Sequence, residues 1–149
     1  MDTEALLRSL NARDVRYVVI GATAFPVHGY ARATLDIDLL IEPTKENVSR
    51  VRAALADFGY DVSDLTTEDL LQKKVLIRQY VVQTDLHPFV KGATWDGVWD
   101  NRVKAVLGKT PAFFASLDDL IRMKQAAGRP KDLEDLKVLL KLRDDASPA

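Results

Sequence analysis

The sequence has no cysteine and only two histidines among 149 residues. Disulfides, thiol nucleophiles and zinc–thiolate sites are excluded, and two imidazoles argue against any zinc centre. An excess of either charge is also missing: 21 Lys and Arg face 22 Asp and Glu, for a net charge of -1. Without a global positive field, nucleic acid would have to be held by a local patch. No apolar run approaches the roughly 18 residues of a membrane span, and the acidic N-terminus lacks a signal-peptide pattern. What is present is 47% hydrophobic residues, enough to bury a core and too many for a disordered chain. Length predicts one domain over residues 1–143, with a C-terminal helical segment at 116–142 and a frayed polar tail at 144–149. The expectation is a soluble, cytoplasmic protein without a membrane segment, and the lack of cysteine suits a reducing interior.

Hydrophobic spacing divides the chain into alternating elements. Leu6, Leu7 and Leu10 put one apolar face on a helix over residues 3–12. Residues 15–20 read as a mostly buried strand ended by Gly21, residues 22–28 as a helix, and Gly29 as its left-handed C-cap. A second strand is expected over residues 35–41, with Leu35, Ile37 and Leu39 toward the core, and Pro43 stops it. Thr44 caps a helix whose Val48, Val51, Leu55 and Phe58 recur at helical spacing. Residues 67–72 suggest a helical turn, and 75–78 with 81–86 a pair of strands forming a hairpin. Residues 89–98 read as loop and 103–107 as an edge strand. Ser116 opens a helix with Asp119 in a capping-box position and Leu117, Leu120 and Ile121 on its apolar stripe. Gly128 ends it, and Pro130 begins a last helix carrying Leu133, Leu136 and Leu140. Together these predict an α/β (α+β) domain: a small mixed β-sheet flanked by helices.

Asp36 and Asp38 stand out. Strand residues two apart point the same way, so the two carboxylates share a face about 6.6 Å apart at Cα. Like charges that close repel, and strand propensity does not favour Asp. An exposed polar strand face is the ordinary reading of a bare Asp-x-Asp. A hard divalent cation, Mg²⁺ or Mn²⁺, is the other. Upstream, the strand ending in Gly21 leads directly into Ala22 and Thr23, where backbone N–H groups at a helix start attract phosphate. Thr23 adds a hydroxyl, either as N-cap or as a phosphate contact. Asp85, near the end of a predicted strand, would be the third carboxylate of a two-metal phosphoryl-transfer site, or simply a strand-end residue.

At these residues the chain resembles the minimal nucleotidyltransferases of the DNA polymerase β superfamily, which carry Gly-Ser or Gly-Gly at a helix start, Asp-x-Asp on the next strand and a distal Asp. It is most similar to the bacterial, toxin–antitoxin-associated AbiEii-like branch. The run Gly21, Ala24, His28, Gly29, Arg32, Thr34, Asp36, Asp38 follows that branch's order, as does Asp119-Leu120-Ile121, Lys124, Gly128-Arg129, Lys131-Asp132, Asp135-Leu136. Ala22 departs from the Gly-Ser or Gly-Gly pair: it has no hydroxyl and a more restricted backbone.

The resemblance implies a polymerase-β-like fold in which Asp36, Asp38 and Asp85 hold Mg²⁺ (or Mn²⁺). Gly21, Ala22, Thr23, Arg32, Lys124 and Arg129 would contact the nucleoside triphosphate (ATP or another NTP). Asp85 would also orient or deprotonate the acceptor hydroxyl. Each cation has a plainer reading: Arg32 paired with the Asp cluster or solvated, Lys124 a surface lysine, Arg129 paired with Asp132 or Asp135. His28 reads as structural at a helix C-terminus, His87 shares a strand face with Asp85 if that strand runs so far, and Trp95 and Trp99 either stack a base or cover the core. The expected activity is Mg-dependent transfer of NMP from an NTP to a hydroxyl of tRNA, protein or a small molecule. A toxin or antitoxin partner or a homodimer would complete the site. The other class of reading is a non-catalytic module, an antitoxin-like partner or a nucleotide sensor.

Overall fold

The computed structural model of the protein describes residues 2–146. Its strands are β1 (Tyr17–Ile20), β2 (Asp36–Ile41), β3 (Val75–Ile77), β4 (Gln83–His87), β5 (Val103–Leu107) and β6 (Thr110–Phe114). They form one mixed sheet in the order β3-β4-β2-β1-β6-β5. β2 runs parallel to β4 and antiparallel to β1, while β1 runs parallel to β6. The helices are α1 (Thr3–Ala12), α2 (Lys45–Phe58), α3 (Thr67–Gln72), α4 (Trp95–Asp100), α5 (Leu117–Ala127) and α6 (Leu133–Ala146). This is the small mixed sheet flanked by helices that the sequence predicts. No helix among the described residues is long and apolar enough to cross a membrane.

The two faces of the sheet are covered by different helices, and that division creates the cleft. Ile37 and Leu39 of β2, with Thr84 and Leu86 of β4, are buried on one face. Tyr60, just beyond α2, hydrogen-bonds the Thr84 hydroxyl at 2.8 Å, which fixes this as the α2 side. The apolar stripe of α2 buries Val48, Val51, Leu55 and Phe58, and the Thr44 hydroxyl accepts from the Asn47 N–H at 3.3 Å as its N-cap. The opposite face carries Asp38, Asp85 and His87 and looks toward α5.

Several expectations are corrected here. The second strand starts at Asp36, and Leu35 is 78% exposed rather than core-facing. Residues 21–28 form a 3₁₀ helix, not an α-helix. Pro26 sits inside it, and no side chain caps its start. Thr23 therefore is not an N-cap. The stretch read as loop over 89–98 contains the start of α4, capped by the Thr94 hydroxyl on the Gly97 N–H. β6 was not anticipated; Pro111 inside it masks the strand pattern. Ser116 caps α5 through the Asp119 N–H at 3.2 Å, but Asp119 turns to Arg122 instead of closing the box. Pro130 opens a short 3₁₀ turn before α6, whose buried apolar residue is Leu139 while Leu133 is 53% exposed. Of the tail expected to fray, Asp144, Asp145 and Ala146 are helical, and residues 147–149 lie outside the described residues. Gly29 is a left-handed C-cap as expected, at φ 98°, and Gly128, which ends α5 as expected, is also left-handed, at 60°.

Candidate active site

Strand register builds the acidic centre. Asp38 is directly opposite Asp85 in the parallel β2–β4 pair, and Asp36 is opposite Gln83. Lateral neighbours point to the same face, about 4.8 Å apart, so Asp36, Asp38 and Asp85 share one face. On the other side of β2, Ile20 is opposite Asp38, which brings Gly21 beside it. Gly21 has φ +68°, and a Cβ there would stand 2.7 Å from Asp38 Oδ2. Glycine is thus required twice, for the turn and for the approach of the carboxylate.

Each carboxylate has different company. Asp38 Oδ1 lies 2.9 Å from His87 Nε2, so β4 runs far enough for His87 to share the face of Asp85. Asp85 is buried and accepts from Arg78 Nη1 at 2.7 Å, with Lys74 Nζ 4.0 Å from its other oxygen. The Asp36 carboxylate takes no hydrogen bond among the described residues. Nor do any three acidic or histidine side chains among the described residues stand close enough together to hold a metal ion.

Arg78 and Lys74 are the residues that sequence reasoning missed. Leu76 of β3 is opposite Asp85, and positions two before and two after it fall on the same face of the sheet. That alternation was available once residues 75–78 and 81–86 were paired as a hairpin.

The three cations expected at phosphate are already paired, all with acids at or just before the start of α6. Lys124 Nζ reaches Asp132 at 2.9 Å and Asp135 at 3.4 Å. Arg129 Nε binds Asp132 at 2.8 Å, the pairing held open for it in the sequence. Arg32 meets Asp135 at 3.1 Å, and the Tyr30 hydroxyl donates to Asp135 at 2.9 Å. Asp132 is held down at about 2, first by its hydrogen bond from Arg129 and then by Lys124, against the opposing effect of burial. Lys124 is mostly buried rather than a solvated surface lysine.

A cleft of about 510 Å³ opens over this face, lined by Ile20, Gly21, Asp38, Lys74, His87 and Lys124 among others, with Arg129 and Phe89 also contributing. Of the expected phosphate contacts, Gly21, Lys124 and Arg129 line it; Ala22, Thr23 and Arg32 do not. The Thr23 hydroxyl donates to the Asp36 carbonyl at 3.1 Å, tying the 3₁₀ segment to β2. His28 Nε2 sits 2.8 Å from the Ala115 carbonyl, the structural role expected of it. Trp95 and Trp99 stack on each other at 5.3 Å, and Arg102 lies over Trp99 at 3.7 Å. Both indoles are packed against the core cluster and neither lines the cleft.

Residues 1–141 match the family described as "Nucleotidyltransferase of unknown function (DUF6036)". The chain belongs to this family. As a nucleotidyltransferase family member it has the expected fold, a small α+β nucleotidyltransferase-like sheet flanked by helices. A comparison with curated proteins finds no match. Carboxylate oxygens on adjacent strands, without sulfur or a cluster of imidazoles, are the donor type a hard divalent cation prefers, but as they stand no three acidic or histidine side chains among the described residues form a group that could hold one.

Proposed function

We propose that the protein is a nucleotidyltransferase that moves NMP from an NTP to a hydroxyl acceptor with Mg²⁺ or Mn²⁺. What supports this above all is the registered pair Asp38–Asp85, with Asp36 two residues away on the same face of the sheet, of which Asp38 lines the cleft together with Gly21, Lys124 and Arg129. In the reaction an acceptor oxygen bonds to the α-phosphorus, the α–β anhydride bond breaks and pyrophosphate leaves. Asp36 and Asp38 would hold the cation, with Asp85 completing the set. When bound, the cation would supply charge neutralisation at the triphosphate and polarise the reacting phosphorus.

The chain's own residues do the rest. Gly21 leaves room for the Asp38 carboxylate against the turn, since a Cβ there would stand 2.7 Å from its Oδ2. Lys124 and Arg129 present positive charge from the opposite wall, held there by Asp132. Asp85 positions the acceptor hydroxyl and takes its proton once Arg78 has moved away. The acceptor is a tRNA end, a protein side chain or a small molecule, and the AbiEii-like resemblance suggests a toxin–antitoxin context. A second reading, nucleotide binding without turnover, is favoured by one observation: the Arg78–Asp85 ion pair occupies the carboxylate that turnover needs.

The test is incubation with each α-labelled NTP, Mg²⁺ or Mn²⁺, and total cellular RNA and protein, comparing the wild type with Asp36→Ala/Asp38→Ala. Label transferred by the wild type alone is the expected result, and the labelled species identifies the acceptor. A thermal shift with Mg²⁺–NTP in the absence of transfer, lost in the double variant, would favour the binding reading. Neither transfer nor shift would leave a protein-binding module.

A further inference from the structure

Phe89 follows the buried Pro88 just beyond β4, and it is 66% exposed. A lone exposed apolar residue is ordinary on a protein surface. This one, however, lines the cleft, and the loop that carries it is fastened beyond it. Val90 forms an isolated antiparallel bridge with Ala93. Gly92, at φ +88°, lets the loop lie so close to α5 that a Cβ there would stand 2.5 Å from the Arg122 carbonyl oxygen. From α5 the cleft receives Leu120, Met123, Lys124 and Ala127, which recur at i, i+3, i+4 and i+7 and so share one helix face. The loop and the helix thus contribute an apolar part of the lining. The polar part is a set of cations with Asp38, and no hydroxyl or amide side chain lines the cleft among the described residues.

We propose that Phe89 selects the base of the nucleotide by stacking, so that the protein takes purine triphosphates in preference to pyrimidine ones and barely separates adenine from guanine. This rests on the nucleotide reading above. The lining divides as a nucleotide does: Lys74, Lys124 and Arg129 suit the anionic tail, and the apolar part suits a flat heterocycle. Every base has a face that can stack on an aromatic ring, and a bicyclic purine overlaps more of the ring than a pyrimidine does. Telling adenine from guanine is a different task, because it needs polar groups set against the exocyclic amine or carbonyl. Without hydroxyl or amide side chains the cleft reads ring size, not ring edge. The stacking role weighed for Trp95 and Trp99 therefore falls to Phe89: both indoles pack against the core, whereas Phe89 is free to receive a base.

The experiment is isothermal titration calorimetry in Mg²⁺ with ATP, GTP, CTP, UTP and inorganic tripolyphosphate, which has the charge of the tail and no base. Wild type, Phe89→Ala, Phe89→Leu and Phe89→Trp are compared, each checked for unchanged melting; the exposure of Phe89 makes all three compatible with the fold. ATP and GTP should bind alike and more tightly than CTP and UTP. Phe89→Ala should weaken both purine nucleotides by about five- to a hundredfold, the range of one base–aromatic stack, and leave tripolyphosphate unchanged. Phe89→Leu, apolar but without a π face, should resemble Phe89→Ala, and Phe89→Trp should restore the purine preference. Pyrimidine nucleotides bound as tightly as purine ones, a preference of about tenfold or more between ATP and GTP, or a Phe89→Ala variant that binds ATP normally overturns the proposal. So does a Phe89→Ala variant that weakens tripolyphosphate as much as ATP. In each of these cases the nucleotide reading stands, whereas a wild type that binds none of the four triphosphates overturns both.

Discussion

At the scale of single residues the most consequential position is Gly21. Its φ of +68° is strained for any L side chain, and the nearest atom to an added Cβ would be Asp38 Oδ2. Gly21→Ala should therefore cost more than about 1 kcal/mol of stability from the backbone alone. It should also displace the Asp38 carboxylate and weaken Mn²⁺ binding. Thermal unfolding together with a Mn²⁺ titration checks this. A variant that loses stability but binds Mn²⁺ normally would make Gly21 a turn residue and nothing more. The importance of this position was legible in the sequence from the strand–Gly–helix pattern. The reason for it was not, because the contact between Gly21 and Asp38 depends on how β1 pairs with β2. Ala22 is the opposite case. It departs from the pattern of the family the chain resembles, yet it lies outside the cleft lining.

At the scale of elements, the sequence was most informative where one periodicity dominated. α2 and the β2 carboxylates followed from spacing alone, since their apolar and acidic positions repeat at 3.6 and 2 residues. β6 and α4 were obscured by Pro111 and by the glycines at 92 and 97, where local turn signals compete with tertiary pairing. Arg78 was hidden for another reason: its role depends on the register of the β3–β4 hairpin, which puts it on the same face as Asp85. Asn47 illustrates the same limit. It sits in the first turn of α2, and only the fold shows that it is 1% exposed and joins three elements. Its side-chain oxygen accepts from the Arg16 N–H at 2.8 Å, and its amide donates to the Arg16 and Glu42 carbonyls at 2.9 and 3.0 Å. Asn47→Ala would strand the Arg16 N–H, while both carbonyls keep other backbone donors at Glu42 and Thr44. The expected loss is about 1–2 kcal/mol, the cost of one partly buried unsatisfied donor plus lost bonds. Denaturant unfolding measures it, and a loss below about 0.5 kcal/mol would mean that α2 is held to the sheet by apolar packing alone.

At the scale of the whole molecule, the acids at the start of α6 fasten that helix to the rest of the domain and hold the cleft's cations. Asp132 binds Lys124 and Arg129, and Asp135 binds Lys124, Arg32 and the Tyr30 hydroxyl, so α5, α6 and the segment after the 3₁₀ helix meet at one charged junction. This junction has a pH signature. Asp132 is held at about 2 by Arg129 first and Lys124 second, below an ordinary carboxyl value near 3.9. Because the folded value is the lower one, the unfolded chain takes up the proton first as pH falls. The stabilisation is whole above about pH 4 and is lost on the way down through about pH 2. Exposed pairs such as Arg13–Asp57, at 2.7 Å, are shifted in the same direction but are screened by water and contribute little. The melting temperature of Asp132→Asn should therefore fall below that of wild type at pH 6, and the gap should close between pH 4 and pH 2. Circular dichroism melts across that range provide the measurement, and a gap that does not change with pH would assign the loss to packing instead. The same variant frees Lys124 and Arg129 from one partner. If the clamp serves the cleft as well as the fold, NTP affinity at pH 7 should weaken even at temperatures far below the melt, because the two cations lose the orientation that one buried carboxylate imposes.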